Sequence, residues 1–272
     1  MAAFDQDLLI PPFNKLGQLS GSSHIPYYTG IFDEYEYYLI KDEVVNLDWL
    51  KQANLSEPML EVGSGEGRIL SELAQMNLAC FGIETSKEAI RRFKQKQHLA
   101  EREIIVYEGD FFDFKFDRKF GSVIIPNLTI HLFNDVPTLE QLAKKLSSIL
   151  LPSGKFAVSI FCPESIQKMS VNYKGQTFVV PFNDDLGKER IMWTGLKFED
   201  QHRTMIQNWY TQVSPSEGFL SADKQRFWLE EELQVIFKPF GLELTHKYDG
   251  AITGGGADGF VTNHLIFTLS NN

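Results

Sequence analysis

The chain has 272 residues, 43% hydrophobic and 23% charged, enough for a sizeable core in one large domain or in a core domain with an insertion. Thirty-six acidic side chains against 26 basic ones leave a formal charge of −10, and the densest basic run, "RRFKQKQ" at 91–97, reads as a solvated helix face. A surface that tracks phosphates needs a basic patch, so nucleic acid is not the expected partner.

Cys80 and Cys162 stand in strand-like runs with no second cysteine or histidine at metal-ligand spacing. They read as buried thiols in a reducing compartment, and no metal is expected. The opening "MAAFDQDLLIPPF" puts aspartates where a signal peptide needs a basic and then an apolar stretch, and no apolar run reaches spanning length. The expectation is a cytoplasmic protein with no membrane partner.

In chain order, "IPPFNKLGQLSGSSHIPYY" is turn-rich, with Pro11, Pro12, Gly17, Gly21 and Pro26 as breakers. Phe32, Tyr35, Leu39, Val44 or Val45, Leu47 and Leu50 fall near helical spacing, which predicts one or two helices. Strands and helices then alternate. "EPMLEVG" is a strand and "GRILSELAQMN" a helix with Ile69, Leu70 and Leu73 on one face. "ACFGIET" is a strand and "SKEAIRRFKQKQHLAE" a helix, with Thr85 and Glu88 spaced for a capping box. "REIIVYEG" and "FGSVIIPN" are strands, "DVPTLEQLAKKLSSIL" a helix, "LPSG" a stop and "KFAVSIF" a fifth strand. Such alternation implies right-handed crossovers and a mostly parallel sheet.

After residue 163 the rhythm changes: "GQTFVVPF", "ERIMWTGLKFE", "RTMIQNWYTQV" and "KQRFWL" are β-rich, with no clear helix between them. Alternation resumes with "EEELQVIFKPFG" as a helix and "LELTHKYDG" and "NHLIFTLS" as strands. Their connector, "AITGGGADGFVT", is too short for a helix, so this pair is expected to be antiparallel. The fold class is therefore α/β: a Rossmann-like, seven-stranded, doubly wound sheet with its last strand antiparallel. N-terminal helices (1–56) form a cover, 57–163 and 228–272 the core, and 164–227 an antiparallel β flap over the active site.

The stretch "MLEVGSGEGRIL" at 59–70 marks a strand turning sharply into a helix, where glycines at 63, 65 and 67 let a ligand approach the backbone. The dinucleotide signature G-x-G-x-x-G would put a third glycine at 68; Arg68 stands there, and Glu61 lies within the strand. Glu84 ends the second strand about twenty residues on, where a carboxylate can accept ribose hydroxyls. Asp110 ends the third, placed for an exocyclic adenine amine, with Phe111 beside it to cover the ring.

These features resemble the class I S-adenosylmethionine-dependent methyltransferases over roughly 57–163 and 228–270. "LEVGSGEGRIL", "GIETS", "EGDFFDF", "FGSVIIPNLTIHLF" and "LLPSGKFAVSIF" look like their five motifs in order, although the fourth opens Phe120-Gly121 where Phe-Asp is usual. The resemblance implies S-adenosylmethionine as cofactor and S-adenosylhomocysteine as product. It places Glu61, Gly63, Ser64 and Gly65 at the methionine end, and Glu84 with Thr85 at the ribose. Asp110 and Phe111 would hold adenine, and Asn127 and Leu128 would lie along the methionine moiety.

His131, just after the fourth strand, is the candidate proton acceptor, and the alternative is a histidine packed on a helix start. Tyr28, with Tyr27 and Tyr35 near it, is a candidate at the methyl or the methionine carboxylate; aromatic residues at that spacing also serve a core. The layout resembles glycine- and amino-sugar N-methyltransferase-like enzymes, which implies a small-molecule acceptor in specialised metabolism. Trp193, Trp209, Tyr210, Phe227 and Trp228 in the flap suit a pocket roof and a homodimer contact equally.

Four rivals stay open. A nicotinamide-dependent reductase could use Glu84 in the same way. A nucleic-acid methyltransferase would place a proline pair and an aromatic after the fourth strand, where "IPNLTI" stands. A metal-assisted O-methyltransferase needs a carboxylate where Asn127 lies. A non-catalytic module could bind the cofactor without transferring from it.

Overall fold

The computed structural model describes residues 8–19, 21–40, 47–76, 78–97, 104–251 and 260–270. Ahead of the main sheet come α1 (Phe13–Leu16), β1 (Ser22–His24), α2 (Gly30–Ile40) and α3 (Asp48–Gln52). The alternation follows as β2 (Met59–Val62), α4 (Arg68–Gln75), β3 (Cys80–Glu84), α5 (Lys87–Gln97), β4 (Ile105–Glu108), β5 (Phe120–Ile125), α6 (Val136–Ile149) and β6 (Leu150–Phe161). Then come α7 (Pro163–Asn172), β7 (Lys174–Asn183), β8 (Glu189–Glu199), β9 (Thr204–Ser214) and β10 (Glu217–Arg226). The chain closes with α8 (Glu230–Phe237), β11 (Leu242–Ala251) and β12 (Val261–Leu269).

Contacts divide the chain into two compact units. One comprises Val44–Ser165 and Trp228–Asn272, the other Met1–Glu43 and Ile166–Phe227. Residues 44–56, grouped by the sequence reading with the N-terminal cover, fall in the first of these.

The larger unit holds a seven-stranded sheet in the order β11-β12-β6-β5-β2-β3-β4. β12 runs antiparallel to both neighbours and every other pairing is parallel, as the alternation required. β2 and β5 are buried along their whole length, because a parallel strand is covered on both faces. Leu60, Val62, Val123, Ile125 and Val158 face α6 through Leu139, Leu142 and Leu146. Met59, Ile124, Ala157 and Ile266 alternate with them toward Trp49, Leu50 and Leu70.

The smaller unit is a five-stranded sheet, β1-β10-β9-β8-β7, antiparallel except where β1 joins β10 in parallel. Ile10 and Phe13 cover one face, over Ile206, Tyr210 and Leu220. The other face buries Phe182, Met192 and Trp209 under Tyr27, Ile31, Phe32 and Tyr35, with Tyr27 stacked on Trp209 at 3.8 Å between ring centroids.

Several local expectations change. α7 is a helix the β-rich reading passed over; its buried Ile166 and Met169 are three residues apart, too few to announce a helical period. "LPSG" does follow the end of α6 at Ile149, but it also lies inside β6 as a bulge, with Ser153 at φ +57° and the register against β5 slipping between Phe120 and Ser122. The fourth flap strand lies earlier than expected, and Trp228 leaves the flap for the larger unit, fully buried with its Nε1 donating to the Phe133 carbonyl at 2.8 Å. α5 is capped by Ser86, whose Oγ accepts the Ala89 amide at 3.1 Å, and not by Thr85. Most of the connector "AITGGGADGFVT" lies outside the described residues. Among the described residues no helix is long and apolar enough to cross a membrane.

Candidate active site

The chain lays β2, β3 and β4 outward in one direction, then returns to place β5 on the other side of β2. The crevice above the carboxyl ends of β2 and β5 is where open α/β sheets take ligands. The turn after β2 is folded back over β3, since the Gly63 and Ser64 amides both donate to the Ile83 carbonyl, at 2.9 and 3.2 Å. Gly65 has φ +54° and a β-carbon there would meet nothing within 4 Å, so this part of the turn faces open space. Gly67 has φ +74° for another reason: a β-carbon would come 2.4 Å from the Phe93 ring of α5. Gly65 thus borders open space, and Gly67 is a packing glycine.

Glu61 is 3% exposed, and its Oε2 has no hydrogen-bond partner among the described residues. Burial, then the nearby Glu84 charge, hold its carboxyl well above the ordinary range; Arg68 and the Leu70 amide oppose that. Ser64 Oγ, in the turn itself, is likewise buried without a partner. Two orphaned polar atoms beside an open glycine backbone are what a polar ligand would satisfy.

Glu84 does more than the sequence assigned to it. Its Oε2 accepts the Gly65 amide at 2.8 Å, tying the turn to the end of β3. Its Oε1 accepts the Thr85 and Ser86 amides at 2.7 and 2.8 Å, with the Thr85 hydroxyl at 3.3 Å. Oε2 therefore keeps lone-pair capacity for one further donor, and Oε1 is filled. Asp110 is exposed; its Oδ1 accepts the Phe112 amide at 2.7 Å, and the Gly109 amide bonds the Glu84 carbonyl, holding the two strand ends together.

Phe111 is a correction. It is 5% exposed, packed edge-on to Phe112 and against Phe116, with Lys145 Nζ 5.9 Å from its ring centre. The ring belongs to the core, not to a ligand surface. Asn127 and Leu128 sit at the end of β5 with φ +51° and +66°. Two successive non-glycine residues in the left-handed region are a costly backbone, of the kind that clusters at ligand sites. A β-carbon on Gly63 would lie 3.2 Å from Thr129 Cγ2, which shows how closely this strand end meets the glycine turn.

His131 is fully buried, with its Nε2 facing the Phe161 amide at 3.3 Å and its Nδ1 facing the Trp228 amide at 3.4 Å. The ring stacks on Phe161 at 5.5 Å. It secures the turn after β5 between two main-chain segments, and this geometry lends no support to the proton-acceptor role. Tyr28 belongs to the smaller unit, 39% exposed and edge-on to Tyr27 at 4.9 Å.

The sequence reading missed Glu66. It is 7% exposed beneath the turn and pairs with Lys96 at 2.9 Å and Arg92 at 3.9 Å. The run read as a solvated face therefore turns Arg92, Phe93 and part of Lys96 inward. The available signal was an acid inside the glycine turn and two cations one helical turn apart.

Residues 54–211 match the profile of a family described as methyltransferase domain, more than half of the chain. The chain belongs to this methyltransferase family. It is an S-adenosylmethionine-dependent enzyme of the class that its five motifs resemble. Over 168 residues it is 27% identical to an uncharacterized methyltransferase of Anoxybacillus flavithermus, covering 61% of this chain and 73% of that one. Over 197 residues it is 22% identical to the cypemycin N-terminal methyltransferase of a Streptomyces species, covering 72% and 76%. In fold it is similar to an S-adenosylmethionine-dependent methyltransferase from Clostridium acetobutylicum, with TM-score 0.65, 18% identity, and 88% and 98% of the two chains covered. It is also similar to the sugar N-methyltransferase KedS8 from Streptoalloteichus, with TM-score 0.63, 14% identity, and 89% and 94% covered.

Proposed function

We propose that this methyltransferase moves a methyl group from S-adenosylmethionine to a small-molecule acceptor in specialised metabolism, at nitrogen in preference to oxygen. The observation that carries the cofactor placement is the pair of buried, partnerless oxygens, Glu61 Oε2 and Ser64 Oγ, beside the open Gly65 backbone. The nitrogen preference rests on two relatives named as N-methylating, one at a peptide N-terminus and one on a sugar.

The residues fit this cofactor. When bound, it supplies a methyl group on a sulfonium sulfur, activated for in-line displacement. Glu61 would hold the methionine ammonium, and an opposed cation draws that raised carboxyl back to its anionic form. Ser64 and the Gly63–Gly65 backbone would lie along the methionine end, together with Asn127 and Leu128. Glu84 would accept one ribose hydroxyl through Oε2, and Asp110 the adenine amine through the oxygen that the Phe112 amide leaves open. His131 would act indirectly, by fixing the turn that carries Asn127–Thr129. Orientation of the acceptor then accounts for most of the acceleration, up to about 7–11 kcal/mol in favourable intramolecular cases.

Equilibrium dialysis with S-adenosylhomocysteine and NADH tests the reading. Wild type should retain S-adenosylhomocysteine alone, and Glu61→Gln should weaken that retention about tenfold or more, the loss of one charge-assisted contact. Retention of NADH without S-adenosylhomocysteine would put the reductase in its place.

A further inference from the structure

The loop that follows β4 carries Asp110 and is held from two sides, by residues that all belong to the larger unit. From within, the Phe112 amide donates to Asp110 Oδ1 at 2.7 Å, and the Phe114 amide donates to the Asp110 carbonyl at 2.9 Å. From outside, Lys145 on α6 donates its Nζ to the carbonyls of these same two residues, at 3.2 Å to Phe112 and 2.6 Å to Phe114. The residues that orient Asp110 through their N–H groups are therefore the ones the lysine anchors through their C=O groups. Lys145 is half-buried, and its nitrogen lies 5.9 and 5.7 Å from the Phe111 and Phe116 ring centres. Its base is firm, because Leu142 and Leu146 beside it on α6 are fully buried in the core. Ring burial fixes where the loop runs, with Phe111 buried and Phe112 edge-on to Phe133. It does not fix how the peptide planes are turned, which is set by the directional bonds to their C=O and N–H groups. A lysine held by two main-chain carbonyls also gives up side-chain freedom that a helix surface would leave it.

We propose that Lys145 is a positioning residue for adenine recognition. By fixing the Phe112 and Phe114 peptides, it aims the Asp110 oxygen that the Phe112 amide leaves open at the exocyclic amine. The lysine acts through the loop and not on the base or the reacting atoms. The inference rests on the placement of adenine at Asp110.

The test is isothermal titration of the full chain with S-adenosylhomocysteine and with S-inosylhomocysteine, which carries a carbonyl where adenine has its amine. Wild type should prefer the adenine compound about tenfold or more, the worth of one charge-assisted hydrogen bond. Lys145→Met should cut that preference about fivefold, the worth of an ordinary hydrogen bond, with the loss falling on S-adenosylhomocysteine alone. A merely structural role would not move this ratio, since an unfolded fraction removes sites for both ligands alike. Lys145→Gln, a milder change, should shift the ratio in the same direction and serves if the methionine variant does not fold. A wild-type preference that survives both substitutions would overturn the proposal and leave the adenine placement standing. Equal wild-type affinities for the two ligands would instead sink the adenine placement, and the role of Lys145 with it.

Discussion

Gly65 and Gly67, two residues apart in one turn, answer to different requirements. Gly67→Ala would force a β-carbon into Phe93 as well as an unfavourable φ, and should cost about 1–3 kcal/mol of stability in urea melts, in the range of core overpacking. Gly65→Ala meets no neighbour, so it should cost only about 1 kcal/mol of backbone strain while impairing S-adenosylhomocysteine retention. Equal stability losses with unchanged retention would show that Gly65 faces no ligand. The glycine pattern was legible as a turn, but the sequence could not divide the labour within it, because Phe93 comes from another helix. Phe111 misled for the same reason. An aromatic next to a strand-end acid can face a ligand or the core, and only the packing of Phe112, Phe116 and Lys145 decides.

Helix ends show what local chemistry alone can fix. Asp135 caps α6 by accepting the Thr138 amide at 2.7 Å, and Pro137 sits in the first turn, where its missing N–H costs nothing. Asp135→Ala should destabilise the protein by about 1 kcal/mol, read from urea midpoints, without altering cofactor retention. An effect on retention as well would tie α6 to the site. The α5 cap was read one residue early, because Thr85 and Ser86 are both capable and the Glu84 carboxylate had already engaged the Thr85 hydroxyl. α7 went unseen since ten residues with few apolar positions give little periodicity; its place is set by the strands that flank it.

At the scale of the molecule, burial decides which titrating groups matter to stability. His264 on β12 stacks on Trp49 at 4.2 Å and hydrogen-bonds with Ser159 at 2.9 Å, and burial lowers its pKa from 6.5 to about 4. Between those values the unfolded chain holds the extra proton, so acid favours unfolding across that window, by at most about 3 kcal/mol. His264→Phe should flatten this part of the stability–pH curve, measured as the difference from wild type in urea midpoints above and below the window. Glu61, whose raised carboxyl acts in the opposite direction, cancels in that difference. An unchanged slope would show that His264 keeps its proton in the folded chain. By itself the sequence determined the order of strands and helices in the seven-stranded sheet, the antiparallel last strand, the glycine turn, and the acids at the ends of β3 and β4 and within β2. Those depend on periodicity, turn chemistry and spacing, which neighbours along the chain carry. Only the tertiary structure decided that Glu84 holds the turn, that His131 is lodged between two amides and that Arg92 points inward. Each of these turns on a partner distant in sequence, where burial removes the competing water and gives the contact its energetic weight.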